Sequence, residues 1–386
     1  MLDRLAHRLF LLTLFLLPWG GLLRVPTLHE NAQWSDLVFA SAAACWLAAR
    51  LRERRFPRPR PVHGLLALYL GWAALSLALA SPRPAPGLAK LVGVAMLLGL
   101  FVATSETMAR PGGPAAVGRT IAAASLLTAL AAVAGVALSA AGVTTPLVGT
   151  CGDLLPGPLG RAQAGFPHPN LLASFCLFAY GVVTRADAGL HPWLRALAQG
   201  AIGLTLLLTT SRAILAFLLL LAIRGATSAP RRRLAQALAA VLLVAFAALS
   251  VYNVVLNPAR PWEARVSARP SPRLLALATS LDTLAAHPLF GTGPGSSPGL
   301  RGSLPFDAHF TPLNVAATLG LPALAGLGLA VVALWRARGR PSDLVTWGML
   351  AGLGLDGVAQ DVEDFRHMWL ALGLADAGRD RTGEAA

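Results

Sequence analysis

Charge is scarce in this chain. Only 13% of its 386 residues are Asp, Glu, Lys or Arg, against about 25% in a soluble domain. That shortage excludes a disordered chain, a coiled coil and an ordinary cytosolic enzyme. Lysine is nearly missing: Lys90 stands alone, and the remaining cations of the 32 are all arginine. Cysteine is sparse too. Cys45, Cys151 and Cys176 form no metal or redox spacing, and Cys45 and Cys176 fall inside apolar blocks. The glycine-rich stretch at 291–295 is not followed by Gly-Lys-Ser/Thr, so it is no P-loop. No βαβ unit surrounds it, so it is no dinucleotide fingerprint either. No internal repeat stands out, and no segment reads as a separate soluble domain.

Apolar sequence is what the chain has in quantity. Hydrophobic residues make up 55%, and the mean hydropathy is +0.61. They fall in long blocks near 8–24, 34–50, 62–80, 88–108, 118–140, 169–184, 194–210, 212–224, 234–256, 309–335, 343–358 and 366–377. A membrane-crossing helix needs about 20 such residues. The blocks therefore predict an all-α polytopic membrane protein of about twelve transmembrane helices, with 212–224 short for a full crossing. The first block lacks a small-residue cleavage site after it and reads as a span rather than a signal peptide.

The formal charge is +14. In a soluble protein this would suggest nucleic acid; here the arginines lie between apolar blocks, where they set topology. With the N-terminus in the cytoplasm, 21 of the 32 cations fall on the cytoplasmic side. Both termini are expected there. The runs at 50–60 and 231–233 then read as topology anchors, not as nucleic-acid contacts.

The single membrane domain, 1–386, carries two outer-face segments too long for connectors, 141–168 and 257–308. Loops of that length are usually functional. Within the second, 271–288 has helical apolar spacing and is expected to lie at the interface with its leucines in lipid.

Polar groups at membrane depth usually have a reason. In GRAQAGFPHPNLLASF, at 160–175, Asn170 suits a helix N-cap, whereas topology gives no reason for Arg161 on the outer face. In LLLTTSRAILAFLLLL, at 206–221, Arg212 follows Thr209, Thr210 and Ser211. It reads either as a snorkelling side chain or as a fixed guanidinium facing an anion. Arg273 opens the interfacial stretch, and Gly291, Gly293 and Gly295 allow a tight backbone after it. His287 precedes Pro288 and reads as structural. His309 opens a span, with Asp307 two residues before it; near neutral pH, histidine is the side chain best suited to take a proton from a hydroxyl. Asp356, Asp361, Glu363 and Asp364 precede Arg366, His367 and Trp369. Such carboxylates suit a divalent cation or a salt-bridged turn, and no ligand spacing singles out a metal.

Five stretches, in order, resemble the O-antigen ligase family of bacterial membrane glycosyltransferases. They are R-x-x-x-G-F-x-x-P-N from Arg161 to Asn170, T-x-S-R from Thr209 to Arg212, an Arg-led helix from Arg273 ending H-P-L-F-G-x-G-x-G at His287 to Gly295, A-H-F from Ala308 to Phe310, and D-F-R-H-M-W-L-A-L-G from Asp364 to Gly373. The resemblance spans roughly 160–377; the first half matches in hydropathy alone. Phe310 stands where the family usually has Asn, and Ala213 where it often has Gly.

The resemblance implies a glycosyltransferase C-like fold. It implies transfer of a glycan from an undecaprenyl diphosphate carrier to an acceptor sugar, such as lipid A-core, on the periplasmic face of the inner membrane. No metal or cofactor is implied. His309 is the expected base. Arg161, Arg212 and Arg273 are the expected diphosphate ligands, with Asn170, Ser211, Gly291, Gly293, Asp307 and Arg366 in support. The loop 257–308 is expected to close over a cavity holding Arg161, Arg212 and His309. An O-antigen polymerase or a protein O-oligosaccharyltransferase would use the same donor, and the motifs do not separate them. A secondary transporter is the competing class, but it would commonly show repeated halves and polar residues at mid-membrane.

Overall fold

A computed structural model describes residues 1–25, 32–54, 56, 59–149, 160–211, 272–301, 304–336, 344–358 and 360–377, with isolated helical positions between 213 and 244. The expected spans at 212–224 and 234–256 lie largely outside the described residues, as does most of the loop between 245 and 271.

The fold is mostly helical. In order run α1 (Leu2–Leu16), α2 (Trp34–Glu53), α3 (Pro61–Ala80), α4 (Pro84–Ala109), α5 (Gly113–Ala140), α6 (Pro169–Thr184), α7 (Pro192–Thr209), α8 (Pro272–Ala286), α9 (Thr311–Leu319), α10 (Leu321–Arg336), α11 (Leu344–Asp356) and α12 (Arg366–Ala377). Among the described residues, α3, α4 and α5 are long and apolar enough to cross a membrane. Their outward faces are apolar as well: Leu68, Leu75 and Leu79 on α3 and Leu130 on α5 are exposed. A helix apolar all round belongs in lipid or in a core.

Most helix ends fall within a few residues of the apolar blocks, with three departures. The first block does not run on to residue 24: α1 stops at Leu16 and a 3₁₀ turn at Leu17–Trp19 follows, because Pro18 cannot continue the helical hydrogen bonding. The block at 309–335 is two helices, broken at Gly320, whose φ is +90°. The segments 141–168 and 257–308, expected on the outer face, also contain short strands. Val148–Gly149 (β1) pairs antiparallel with Arg161–Ala162 (β2), and Gly299–Arg301 (β3) with Leu304–Phe306 (β4).

The chain divides into two compact units. The first comprises 1–49, 106–268 and 341–353, the second 50–105, 269–340 and 354–386. In the first unit α5, α6 and α7 pack together around Phe175, Phe178, Tyr180 and Ile202, all buried. Glycines permit close approach: a Cβ on Gly118 would lie 2.4 Å from the Ala188 carbonyl oxygen. In the second unit α10 lies along α3, whose buried stripe of Val62, Leu66, Tyr69, Ala73 and Ser76 follows helical spacing. There, Asp376 of α12 is fully buried. Its Oδ2 accepts from Arg60 Nη1 at 2.6 Å and from Ser105 Oγ at 2.7 Å, tying α12 to α4 and to the start of α3.

Candidate active site

Arg161 belongs to the first unit. It sits on β2 and is buried at 8% exposure. Its Nε donates to the Thr209 carbonyl at 2.8 Å, and its Nη2 donates to Asn170 Oδ1 at 2.7 Å. One guanidinium thus joins the strand, the end of α7 and the start of α6. Asn170 is not the helix cap. His168 occupies that position, and its Nδ1 accepts from the Asn170 backbone N–H at 3.1 Å; the Asn170 carboxamide is left to serve Arg161. The sequence expectation of Asn170 as the cap is thus corrected: the cap lies two residues earlier, at His168.

The Thr209–Ser211 turn ends α7 in the left-handed region, with Thr210 at φ +48°. Thr209 Oγ1 accepts from the Ser211 N–H at 3.2 Å, and Ser211 Oγ accepts from the Ala213 N–H at 3.4 Å. The turn is therefore shaped by its own hydroxyls, with Ser211 buried. Arg212, which the turn leads into, lies outside the described residues. Gly165, in the Arg161–Asn170 stretch, has no room for a side chain: a Cβ would lie 2.5 Å from the Pro18 carbonyl oxygen.

His309 belongs to the second unit, and its neighbourhood is built around α9. His309 has φ +50°, a left-handed conformation that non-glycine residues hold only when their surroundings impose it. Its ring stands edge-on to Phe306, with centroids 4.7 Å apart and planes at 88°. Among the described residues no hydrogen bond joins Asp307 to His309. Arg273 lies in the first turn of α8.

Both ends of α9 are clamped. At its head, the Thr311 N–H donates to the Gly357 carbonyl at 2.9 Å. Thr311 Oγ1 donates to the Gln360 carbonyl at 3.1 Å and accepts from the Val362 N–H at 2.9 Å. Asn314 Nδ2 donates to Asp361 Oδ2 at 2.6 Å. The turn between α11 and α12 is thereby laid on the helix that begins just after His309.

At the other end, Gly320 stops the helix and leaves its last carbonyls without helical partners. The glycine-rich turn supplies them. Thr292 N–H donates to Ala317 O at 3.1 Å and Gly293 N–H to Thr318 O at 2.9 Å; Trp72 Nε1 donates to Leu319 O at 3.1 Å. Gly291, Gly293 and Gly295 have φ of +62°, +89° and +76°. A Cβ on Gly293 would lie 2.5 Å from Ser81 Cβ, and one on Gly291 2.4 Å from the Thr318 carbonyl oxygen. Glycine is needed there for conformation and for space together. The turn is a fitted cap rather than a flexible hinge, and Phe290 stacks on Trp72 with the planes 9° apart.

The acidic turn is salt-bridged. The chain's single lysine, Lys90 on α4, sits 3.3 Å from Glu363 and pairs with Asp364. Tyr69 Oη donates to Glu363, and Trp369 Nε1 donates to the Glu363 carbonyl at 2.7 Å. Burial, and then the charges of Glu363 and Asp364, push the Asp361 carboxyl up to about 7, with Lys90 acting in the opposite direction. Oxygens of Asp361, Glu363 and Asp364 lie within 4.8 Å of one another, a spacing a divalent cation would accept; the Lys90 ammonium already supplies positive charge to two of them. Arg366, expected in support, opens α12 beside this turn.

Residues 197–328 match the O-antigen ligase family. That stretch contains the Thr209–Arg212 turn, Arg273, the glycine-rich turn and His309, so three of the five stretches of the resemblance lie inside it. No curated protein matches the chain. The O-antigen ligase match, with the apolar helices, points to a bacterial membrane protein that carries out glycan transfer of the O-antigen ligase type.

Lys90, Thr311 and Asn314 escaped the sequence reading. Asn314 and Thr318 were visible as polar residues four apart within an apolar block, a pattern that costs energy in a membrane unless partnered. Lys90 was visible as the only lysine, but nothing in the sequence tied it to a turn 270 residues away.

Proposed function

We propose that this chain transfers a glycan from an undecaprenyl diphosphate carrier to a sugar hydroxyl, in the manner of an O-antigen ligase, at the periplasmic face of the inner membrane. The observation that carries the reading is that the stretch matching the O-antigen ligase family contains His309, held in a strained conformation at the head of a helix clamped at both ends. In this scheme the His309 imidazole takes the proton of the acceptor hydroxyl. The acceptor oxygen bonds to the anomeric carbon as its bond to the diphosphate breaks, and undecaprenyl diphosphate leaves.

The leaving diphosphate gathers negative charge. Guanidinium groups suit it through paired N–H donors, and that role is assigned to Arg273 and Arg212. Arg161 already gives donors to Thr209 and Asn170. Its contribution is to hold the turn that leads into Arg212. The remaining parts of the picture, about twelve spans of glycosyltransferase C type with both termini cytoplasmic and 257–308 on the periplasmic side, belong to the same proposal.

The test is reconstitution of the full chain in vesicles with an undecaprenyl diphosphate-linked oligosaccharide and, in parallel, lipid A-core or a second carrier-linked glycan as acceptor. Transfer to lipid A-core supports a ligase; extension of the second carrier-linked glycan supports a polymerase. His309→Gln keeps size and a hydrogen bond but cannot take the proton. It should lower turnover by about 10²-fold or more with donor binding largely kept. Full transfer by that variant would sink the assignment of the base.

A further inference from the structure

We infer that Asn314 is a positioning residue for His309, acting through a relay from Asp361 to the backbone of Ala308; the inference rests on the reading of His309 as the base.

Asn314 is buried at 5% exposure one turn into α9, and its own N–H donates to the Phe310 carbonyl at 2.9 Å. Its carboxamide is used on both sides. Nδ2 donates to Asp361 Oδ2 at 2.6 Å, while Oδ1 faces the Ala308 N–H at 3.5 Å, a long contact. Ala308 is itself buried and immediately precedes His309, whose φ of +50° is the strained one. A left-handed histidine persists only where neighbours over-determine it. The backbone before it is set by Asn314, and Asn314 is set by Asp361. Asp361 in turn is held in place by the 357–365 turn, through the two bonds Thr311 makes with Gln360 and Val362. On the other side of His309, Phe306 limits the ring. The relay thus fixes the backbone, and the edge-on aromatic contact fixes the imidazole plane.

The chemistry of the pair makes the inference separable from simple packing. Asn314→Asp removes the donor and sets two carboxylates face to face. Asp361→Asn alone keeps an oxygen to accept from Asn314. The exchanged pair, Asn314→Asp with Asp361→Asn, restores the relay with its polarity reversed: the carboxylate at 314 accepts from the new carboxamide and from the Ala308 N–H.

The experiment uses the full chain in vesicles and two readouts. The first is carbethoxylation of His309 by diethyl pyrocarbonate, followed by mass spectrometry, with His168 and His287 as internal references. The second is glycan transfer with the undecaprenyl diphosphate-linked oligosaccharide and lipid A-core. Asn314→Asp and Asn314→Ala should change the reactivity of His309 relative to both references. They should lower kcat by up to about 10²-fold, the cost of misplacing a catalytic group by about 1 Å, with little change in donor KM. Asp361→Asn should have a small effect, and the exchanged pair should return both readouts toward wild type.

Unchanged His309 reactivity in both Asn314 variants overturns the inference. So does an exchanged pair that restores neither fold nor reactivity. If the wild-type chain transfers no glycan, or transfer survives His309→Ala, the functional reading falls instead, and the carbethoxylation result still decides the relay.

Discussion

The surroundings of Arg161 and those of His309 are held together on different plans. Around Arg161, a single buried guanidinium joins β2, the end of α7 and the start of α6. Around His309, no one side chain has that share. The helix that follows it is fixed by backbone bonds at both ends, by Thr311 and Asn314 at the head, and by a glycine turn and Trp72 at the tail. A charge used as a knot concentrates the energy in one residue, whereas neutral hydrogen bonds spread it. The first region should therefore fail at one substitution and the second should weaken by steps.

The sharpest test of that contrast is Arg161→Ala. Hydrogen bonds involving a charged group contribute about 1.5–3 kcal/mol each, and those to Thr209 and Asn170 are lost; the Thr209 carbonyl keeps the Thr210 hydroxyl, while the Asn170 carboxamide oxygen loses the guanidinium. We expect a loss of about 3 kcal/mol or more, read as a large fall in the thermal midpoint of the purified protein in detergent. Near-normal stability would mean that the knot is not where the energy lies.

On the other side of the comparison, Gly293→Ala should cost about 1–3 kcal/mol, because the backbone is left-handed there and the new methyl meets Ser81. The same thermal assay reads it, and the loss should be the largest obtainable from a single side chain in the α9 surroundings.

Thr311→Val should cost about 1 kcal/mol. It keeps the shape but deletes the hydroxyl that bonds Gln360 and Val362. A loss as large as that of Arg161→Ala would break the contrast between the regions.

A pH dependence tests the acidic turn that holds the head of α9. Asp361 has its carboxyl raised from its ordinary 3.8 to about 7, by burial first and by Glu363 and Asp364 after it, with Lys90 opposing. Between those two values the folded protein holds a proton that the unfolded chain has released. Stability should therefore fall as pH rises from about 4 to about 7 and level off above. Midpoints measured from pH 5 to 8 should show that slope in the wild type and lose it in Asp361→Asn.

Much of this was legible in the sequence, and for identifiable reasons. Apolar blocks of about 20 residues located α3, α4 and α5 because lipid leaves a helix little alternative. The three glycines at 291–295 announced a tight backbone. The break at Gly320 was also written out, in Gly320-Leu321-Pro322: glycine ends helices and proline opens them. Hydropathy alone runs straight across it. The short strands were not legible, since two or three residues carry no periodicity. Nor was the role of Asn170, which capping preference explains equally well until Arg161 is seen beside it. Pairings such as Lys90 with Glu363 depend on helix packing, and no local pattern reports them.

The joint at Gly320 also bears on bilayer thickness. An α-helix rises 1.5 Å per residue, so the nine residues of α9 extend about 14 Å and the sixteen of α10 about 24 Å. As one rod they would exceed the roughly 30 Å hydrocarbon core and would have to lean to fit it. In two pieces, the longer one can change its inclination as the bilayer thins or thickens, while the shorter one keeps its attachments to the 357–365 turn. If α9 and α10 cross the bilayer as proposed, His309 would be insulated from its thickness, and turnover in short-chain and long-chain lipid vesicles should differ little.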